Sequence, residues 1–222
     1  MISARRFLLS GVVFALIFLA FPEIDLWASG QFFQPGERFA LLGIALFDGI
    51  HRHLEVPLWF FLAFSLIYLI TAGWSWSPAW LGDKRKQVAY ILLTLVIGPG
   101  LLVNTVFKDN WGRARPMDVV AFEGDKQFSP PWVPSNQCQR NCSFVCGDAS
   151  VGFSLVALAF ISRRPRRWLV AAMITGGALG LMRIGQGGHF LSDVIFSFYI
   201  VYFAAWLLHH WMFGGQARQP EG

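Results

Sequence analysis

The sequence predicts an all-α, polytopic membrane protein: six transmembrane helices, a non-cytoplasmic interfacial helix, and loops that carry the chemistry. Three observations predict it. Of 222 residues, 55% are hydrophobic and only 14% charged, with a mean hydropathy of +0.49. Several apolar runs approach the ~20 residues that a helix needs to cross a bilayer. The basic residues fall largely in short loops between those runs, which is how membrane topology is written into a sequence. The chain reads as a single domain, 1–222, too short to add a separate soluble one. Its net charge of +5 therefore speaks for orientation in a membrane, and no nucleic acid is expected as a partner.

The elements follow in order. Arg5 and Arg6 open the chain, and the apolar run Phe7 to Phe21 ends at Pro22. This is expected to be an uncleaved first membrane helix. The other reading, a signal peptide, lacks a well-placed cleavage site, because the small cluster Ala28-Ser-Gly30 lies well past the run. Glu23 to Glu55 mixes charged and apolar residues, and Glu37 to Ile50 within it is weakly amphipathic, as expected of a helix lying at the membrane surface. Val56 to Trp74 is the second expected span, with Pro57 near its start, where a missing N–H costs little. Ser75 to Gln87 is a loop carrying Lys84, Arg85 and Lys86. Val88 to Phe107 is the third span, loosened by Gly98-Pro99-Gly100. Lys108 to Asp148 is the longest polar stretch. Ala149 to Ile161 is a short fourth span, Trp168 to Met182 a fifth, and Phe190 to Trp211 a sixth, before the polar tail Gly214 to Gly222.

With six spans, Arg5 and Arg6, Lys84 to Lys86, Arg163 to Arg167 and Arg218 share one side, which the positive-inside rule makes cytoplasmic. The polar stretches Lys108–Asp148 and Arg183–Asp193 then share the opposite face. The three cysteines, Cys138, Cys142 and Cys146, lie there too, with three residues between neighbours. Metal sites more often show two-residue spacings and a supporting His. A Cys138–Cys142 bridge fits an oxidising compartment, and three free thiols fit a reducing one.

Three stretches carry possible chemistry. Lys108-Asp-Asn-Trp-Gly-Arg113-Ala-Arg115-Pro116 places three cations just outside the third span. Such a patch either touches anionic headgroups or cradles a phosphate, for which the Arg fork is well suited. Ser143-Phe-Val-Cys146-Gly147-Asp148-Ala149-Ser150 leads into the fourth span. Its small turn offers backbone N–H groups to an anion, and it also suits a plain helix cap by Asp148 or Ser150. The third stretch is Arg183-Ile-Gly-Gln-Gly-Gly-His189-Phe-Leu-Ser-Asp193. His189 and Asp193 are four apart, on one face if helical. A neutral imidazole can attack phosphorus while a carboxylate on its other nitrogen fixes the tautomer.

Together the three stretches resemble the type-2 phosphatidic acid phosphatase superfamily, related to vanadium haloperoxidases. The family pattern is K-x6-R-P, then P-S-G-H, then S-R-x5-H-x3-D. Lys108, Arg115 and Pro116 match the first motif, and Arg183, His189 and Asp193 match the third, over a core of about 88–211. In the second motif only Gly147 is retained, with Val145, Cys146 and Asp148 in place of Pro, Ser and His, and Met182 stands before Arg183.

The resemblance implies a lipid phosphate phosphatase without metal or other cofactor. His189 would form a phosphohistidine and Asp193 would orient it. Lys108, Arg115, Arg183 and the turn at Cys146 and Gly147 would hold the phosphate. Asp148 takes the place of the acid that protonates the leaving group, yet a carboxylate of ordinary pKa, about 3.9, is ionised at neutral pH. Expected substrates are a phospholipid such as phosphatidic acid or phosphatidylglycerophosphate, a lipid A phosphate, or a polyprenyl pyrophosphate. The expected location is a bacterial inner membrane with the site facing the periplasm or cell exterior. Rival readings are a phosphotransferase between lipids and a non-catalytic lipid-phosphate binder or transporter. A metal site built from Asp148, His189 and Asp193 is disfavoured by the surrounding cations.

Overall fold

The computed structural model describes residues 3–72 and 84–214. Trp74, most of the expected Ser75–Gln87 loop, Arg218 and most of the tail lie outside the described residues. Among the described residues there is no strand, only isolated bridges between Phe33 and Phe39 and between Val119 and Lys126.

Helix α1, Ala4–Ala20, begins at Ser3, whose hydroxyl accepts from the Arg6 N–H. The apolar run then breaks at Phe21-Pro22, and α2, Glu23–Gly30, leaves at 83° to α1. The interfacial helix is shorter and later than expected. Pro35, Gly36 and Gly43 keep residues 34–44 out of a helix, and α3 covers Ala45–His53. It runs almost directly into α4, Glu55–Thr71, so that Ala45–Thr71 forms one apolar stretch of 27 residues. Trp59, Phe60, Phe64, Ile67 and Ile70 on α4 are exposed, as the lipid-facing side of a span should be.

Helix α5, Arg85–Leu95, continues as a wider π-helix over Val96–Phe107. Pro99 lies within that stretch, where it has no N–H to give to the ordinary i→i−4 ladder. The wide turns end at Lys108, whose N–H bonds the Val103 carbonyl at 3.1 Å. Two short helices follow the long loop: α6, Gly147–Phe153, and α7, Val156–Ile161. The bundle closes with α8, Pro165–Gly185, and α9, Leu191–Phe213.

Four stretches are long and apolar enough to cross a membrane, and five if the bent α1–α2 pair counts as one. The fourth expected span, Ala149 to Ile161, corresponds to the α6–α7 pair. Its seven and six residues rise only about 20 Å as α-helix, against about 30 Å of hydrocarbon. Both helices are packed inside the protein, with Ala149, Phe153, Val156, Ala157 and Phe160 buried. Helix α9 is the axis of the packing and touches α5, α6, α7 and α8. A second apolar cluster of Phe39, Val119, Phe122 and Phe190 supports the loops at one end.

A candidate active site at the loop end of the bundle

The three polar stretches converge because the backbone ties them together. Cys142 N–H donates to the Lys108 carbonyl, Ser143 N–H to Arg113, Met117 N–H to Gly187, and Cys146 N–H to Asp193. The Cys138–Cys142 disulfide closes the loop beside the first of these ties. Mass spectrometry of unreduced protein should therefore find one alkylatable thiol among the three cysteines after unfolding, that of Cys146. Two more labelled without reductant would remove the bridge.

His189 lies at the centre and is almost wholly buried. Its turn requires Gly187, which adopts φ +68° with the Phe39 ring against it, leaving no room for a Cβ. The hydrogen bond from His189 Nδ1 goes to the Ser143 carbonyl, at 2.6 Å. A carbonyl only accepts, so this contact places the proton on Nδ1 and leaves the Nε2 lone pair free. Burial, reinforced by the charges of Lys108 and Arg183 and opposed by Asp193, pulls the His189 pKa down to about 4. The imidazole is thus neutral at pH 7.

Asp193 faces the same nitrogen of His189. It stands 3.7 Å from His189 Nδ1, an ion-pair distance rather than a hydrogen bond. Its Oδ2 accepts from Ser143 Oγ at 2.5 Å and from Phe190 N–H at 2.8 Å, the latter capping α9 from its N3 position. Its Oδ1 accepts from Arg113 Nη1 at 2.6 Å. The direct orienting bond falls to a backbone carbonyl, and Asp193 fixes the segments on either side of it.

Arg113 is likewise not where a cradle of three neighbouring cations would put it. It is fully buried. Its Nη2 pairs with Asp25 Oδ2 at 2.8 Å, its Nε donates to the Ser129 carbonyl, and its guanidinium lies 4.3 Å from the centre of the Phe190 ring. Ser192 completes the network, with both N–H and Oγ bonded to Asp25.

The remaining cations do gather. Lys108, Arg115 and Arg183 act on one another and on Asp148 electrostatically. Arg115 Nη2 is steadied by the Asn141 carbonyl at 2.8 Å. Arg183 Nη1 donates to Gln186 Oε1 at 2.7 Å, and Gln186 Nε2 reaches Asp48 Oδ1 at 2.9 Å. Arg183 Nε is buried and makes no hydrogen bond among the described residues, with the Asp148 carboxylate 3.6 Å away as its ion-pair partner. Gly147 lets the Lys108 ammonium close on the start of α6, since a Cβ there would lie 3.2 Å from Nζ.

The second stretch departs most from expectation. Cys146 is the N-cap of α6 but supplies no side-chain bond, and neither Asp148 nor Ser150 caps. Ser150 Oγ turns back to the Gly147 carbonyl. The Cys146 N–H already serves the Asp193 carbonyl at 3.2 Å, and burial pushes the thiol up to about 12, so Cys146 is a neutral wall of the site. Asp148 Oδ2 is bonded at 2.6 Å to His51 Nδ1 and lies 3.6 Å from Arg183 Nε. Burial works against ionisation of Asp148, but His51 and Arg183 outweigh it and hold the pKa below the usual carboxylate value.

Asp25 and His51 both fall in the mixed stretch Glu23 to Glu55, to which the sequence assigns no chemistry. The signal for Asp25 was a carboxylate beside an apolar helix, which needs a partner. His51 carried no comparable signal, because its partner is 97 residues away.

A bundle of apolar helices with a buried, neutral histidine acted on by Lys108 and Arg183 is the setting in which comparison with known proteins defines a class, the membrane phosphatases. The chain belongs to the PAP2 superfamily, whose sequence profile matches residues 87–216. It is 42% identical over 222 residues to the lipid A 4'-phosphatase of Francisella tularensis subsp. novicida (strain U112), covering 95% of this chain and 97% of that one. It is 32% identical to the lipid A 4'-phosphatase of Rhizobium leguminosarum, over 86% of this chain and 89% of that one. A third lipid A 4'-phosphatase, from Rhizobium etli, is 30% identical over 86% of this chain and 80% of its own length. No solved structure matches the chain.

Proposed function

We propose that this protein removes a phosphate monoester from lipid A, at the 4' position, through a phosphohistidine on His189. The observation that carries the chemistry is the free Nε2 of a buried, neutral His189 on which Lys108 and Arg183 act, with Arg115 acting on both of those cations. The named activity of three relatives matched over most of their length supports the substrate.

In the first step Nε2 attacks phosphorus and the P–O bond to the sugar breaks. Lys108, Arg115 and Arg183 stabilise the charge that spreads over the non-bridging oxygens. The Ser143 carbonyl stabilises the Nδ1–H as the ring becomes cationic, with Asp193 close behind. In the second step water attacks the phosphohistidine and releases inorganic phosphate. The reading places the site at the periplasmic face of a bacterial inner membrane, on the strength of the basic loops at the other end.

The test is phosphate release by purified protein from a panel containing lipid A bisphosphate, phosphatidic acid, phosphatidylglycerophosphate and a polyprenyl pyrophosphate, with and without chelator. Chelator-resistant loss of the 4'-phosphate is expected. Tight lipid binding without release would favour a binder, and transfer of phosphate to a second lipid a phosphotransferase.

Arg183 offers a sharper check on the cradle. Its fork is held by Gln186, and a lysine at that position keeps the charge but not the paired donors. Arg183→Lys should lower kcat/KM by about 100-fold, on the scale of losing one preorganised donor. Wild-type kinetics in that variant would exclude a forked contact.

A further inference from the structure

We propose that His51 is the proton donor to the leaving oxygen, held by Asp148 through Nδ1, and that this pair supplies the acid–base function of the reaction. The assignment rests on the phosphatase reading above and deepens it. The contact joins α3 to the start of α6 at 2.6 Å, from residues 97 positions apart.

The geometry divides the roles. Asp148 is held ionised by His51 and Arg183, so it has no proton to give at neutral pH. Imidazole is the side chain that exchanges a proton in this range, and a carboxylate on Nδ1 stabilises its charged form while leaving Nε2 to carry the proton that moves. Asp148 Oδ2 also lies 3.6 Å from Arg183 Nε, which joins the pair to a cation of the proposed phosphate cradle. His51 is half-buried, whereas His189 is closed off, so the two histidines are suited to different jobs. The charged group facing His51 from another element is Asp148 on α6, which in turn lies 3.6 Å from Arg183 Nε on α8. On its own helix are Asp48 and Arg52, which pair with each other at 3.9 Å, and His53.

The proton balance closes within the pair. When His189 Nε2 bonds to phosphorus, the ester P–O bond breaks and the leaving oxygen takes the proton from the His51 imidazolium. The lipid departs as an alcohol and His51 is neutral. When water attacks the phosphohistidine, neutral His51 takes the water proton, the P–N bond breaks, and phosphate leaves with the imidazolium restored.

The experiment compares two lipid-chain esters on the full-length protein in detergent: a long-chain alkyl phosphate, whose leaving alkoxide needs a proton, and an alkyl-substituted 4-nitrophenyl phosphate, whose leaving group does not. His51→Gln should lower kcat on the alkyl ester by about 100-fold or more, the usual worth of general acid catalysis, and on the nitrophenyl ester by only a few-fold. Asp148→Asn, which removes the carboxylate that holds His51, should lower kcat on the alkyl ester by more than on the nitrophenyl ester. Equal losses on both esters or no loss on either, in His51→Gln or in Asp148→Asn, overturn the assignment and leave the contact as a strut between α3 and α6. No phosphate release by the wild type from either ester or from lipid A bisphosphate would overturn the phosphatase reading itself.

Discussion

Replacing His189 by Ala should lower phosphate release by about 10⁴-fold or more, as loss of a covalent nucleophile does elsewhere. Lipid binding should persist, because Lys108, Arg115 and Arg183 do not depend on the imidazole for their places. Arg183 is held by Gln186, Arg115 by the Asn141 carbonyl, and Lys108 ends the wide helix. The expected split is therefore in kcat rather than in lipid affinity. The wild-type pH profile adds a second sign. A nucleophile with its pKa at about 4 is reactive above that value and is lost as the pH falls through it, when the lone pair is protonated. Activity should therefore hold down to mildly acid pH and fall near 4. Trapping the phosphorylated protein by acid quench and finding the label on His189 would complete the case. Near-normal turnover in His189→Ala would end it.

How much of this was legible in the sequence depends on the range of the interaction that decides it. The helical class followed from composition, and the third motif from a local spacing: His189 and Asp193 stand 3.7 Å apart, and Arg183 acts on His189 electrostatically. The span count was less legible. Four stretches, or five with the bent α1–α2 pair, are long and apolar enough to cross, while Ala149 to Ile161 is short and packed among helices, and a short buried helix and a short span look alike in sequence. Roles within the site were the least legible. Lys108, Arg113 and Arg115 look alike as a run of cations, yet only a folded chain brings Asp25 and Asp193 to either side of Arg113 and turns it inward. Asp148 looked like a cap because caps are local, and its actual partner, His51, comes from a distant helix.

The largest effect on stability is expected from Arg113→Met. The guanidinium sits fully buried between the carboxylates of Asp25 and Asp193, with Ser192 bonded to both it and Asp25. Methionine fills much of the same volume but carries no charge, so the variant leaves two buried carboxylates facing each other without a cation. Breaking a buried pair in this way costs about 3–5 kcal/mol, because the orphaned charge keeps its desolvation penalty. For a chain of this size that corresponds to a fall in the thermal midpoint on the order of 10 °C. The double variant Arg113→Met/Asp25→Asn removes one of the two stranded charges and should recover a large part of the loss. Activity should follow a different course. Asp193 and Ser143 hold the segments that orient His189, so relaxation of Asp193 should cost kcat even in the double variant, where the fold is regained. Thermal midpoint and kcat measured on the wild type, Arg113→Met and the double variant separate the two effects. An unchanged midpoint in Arg113→Met would mean that the network is not what joins α2 to the start of α9. Full recovery of kcat in the double variant would mean that the Ser143 carbonyl alone holds His189 in register.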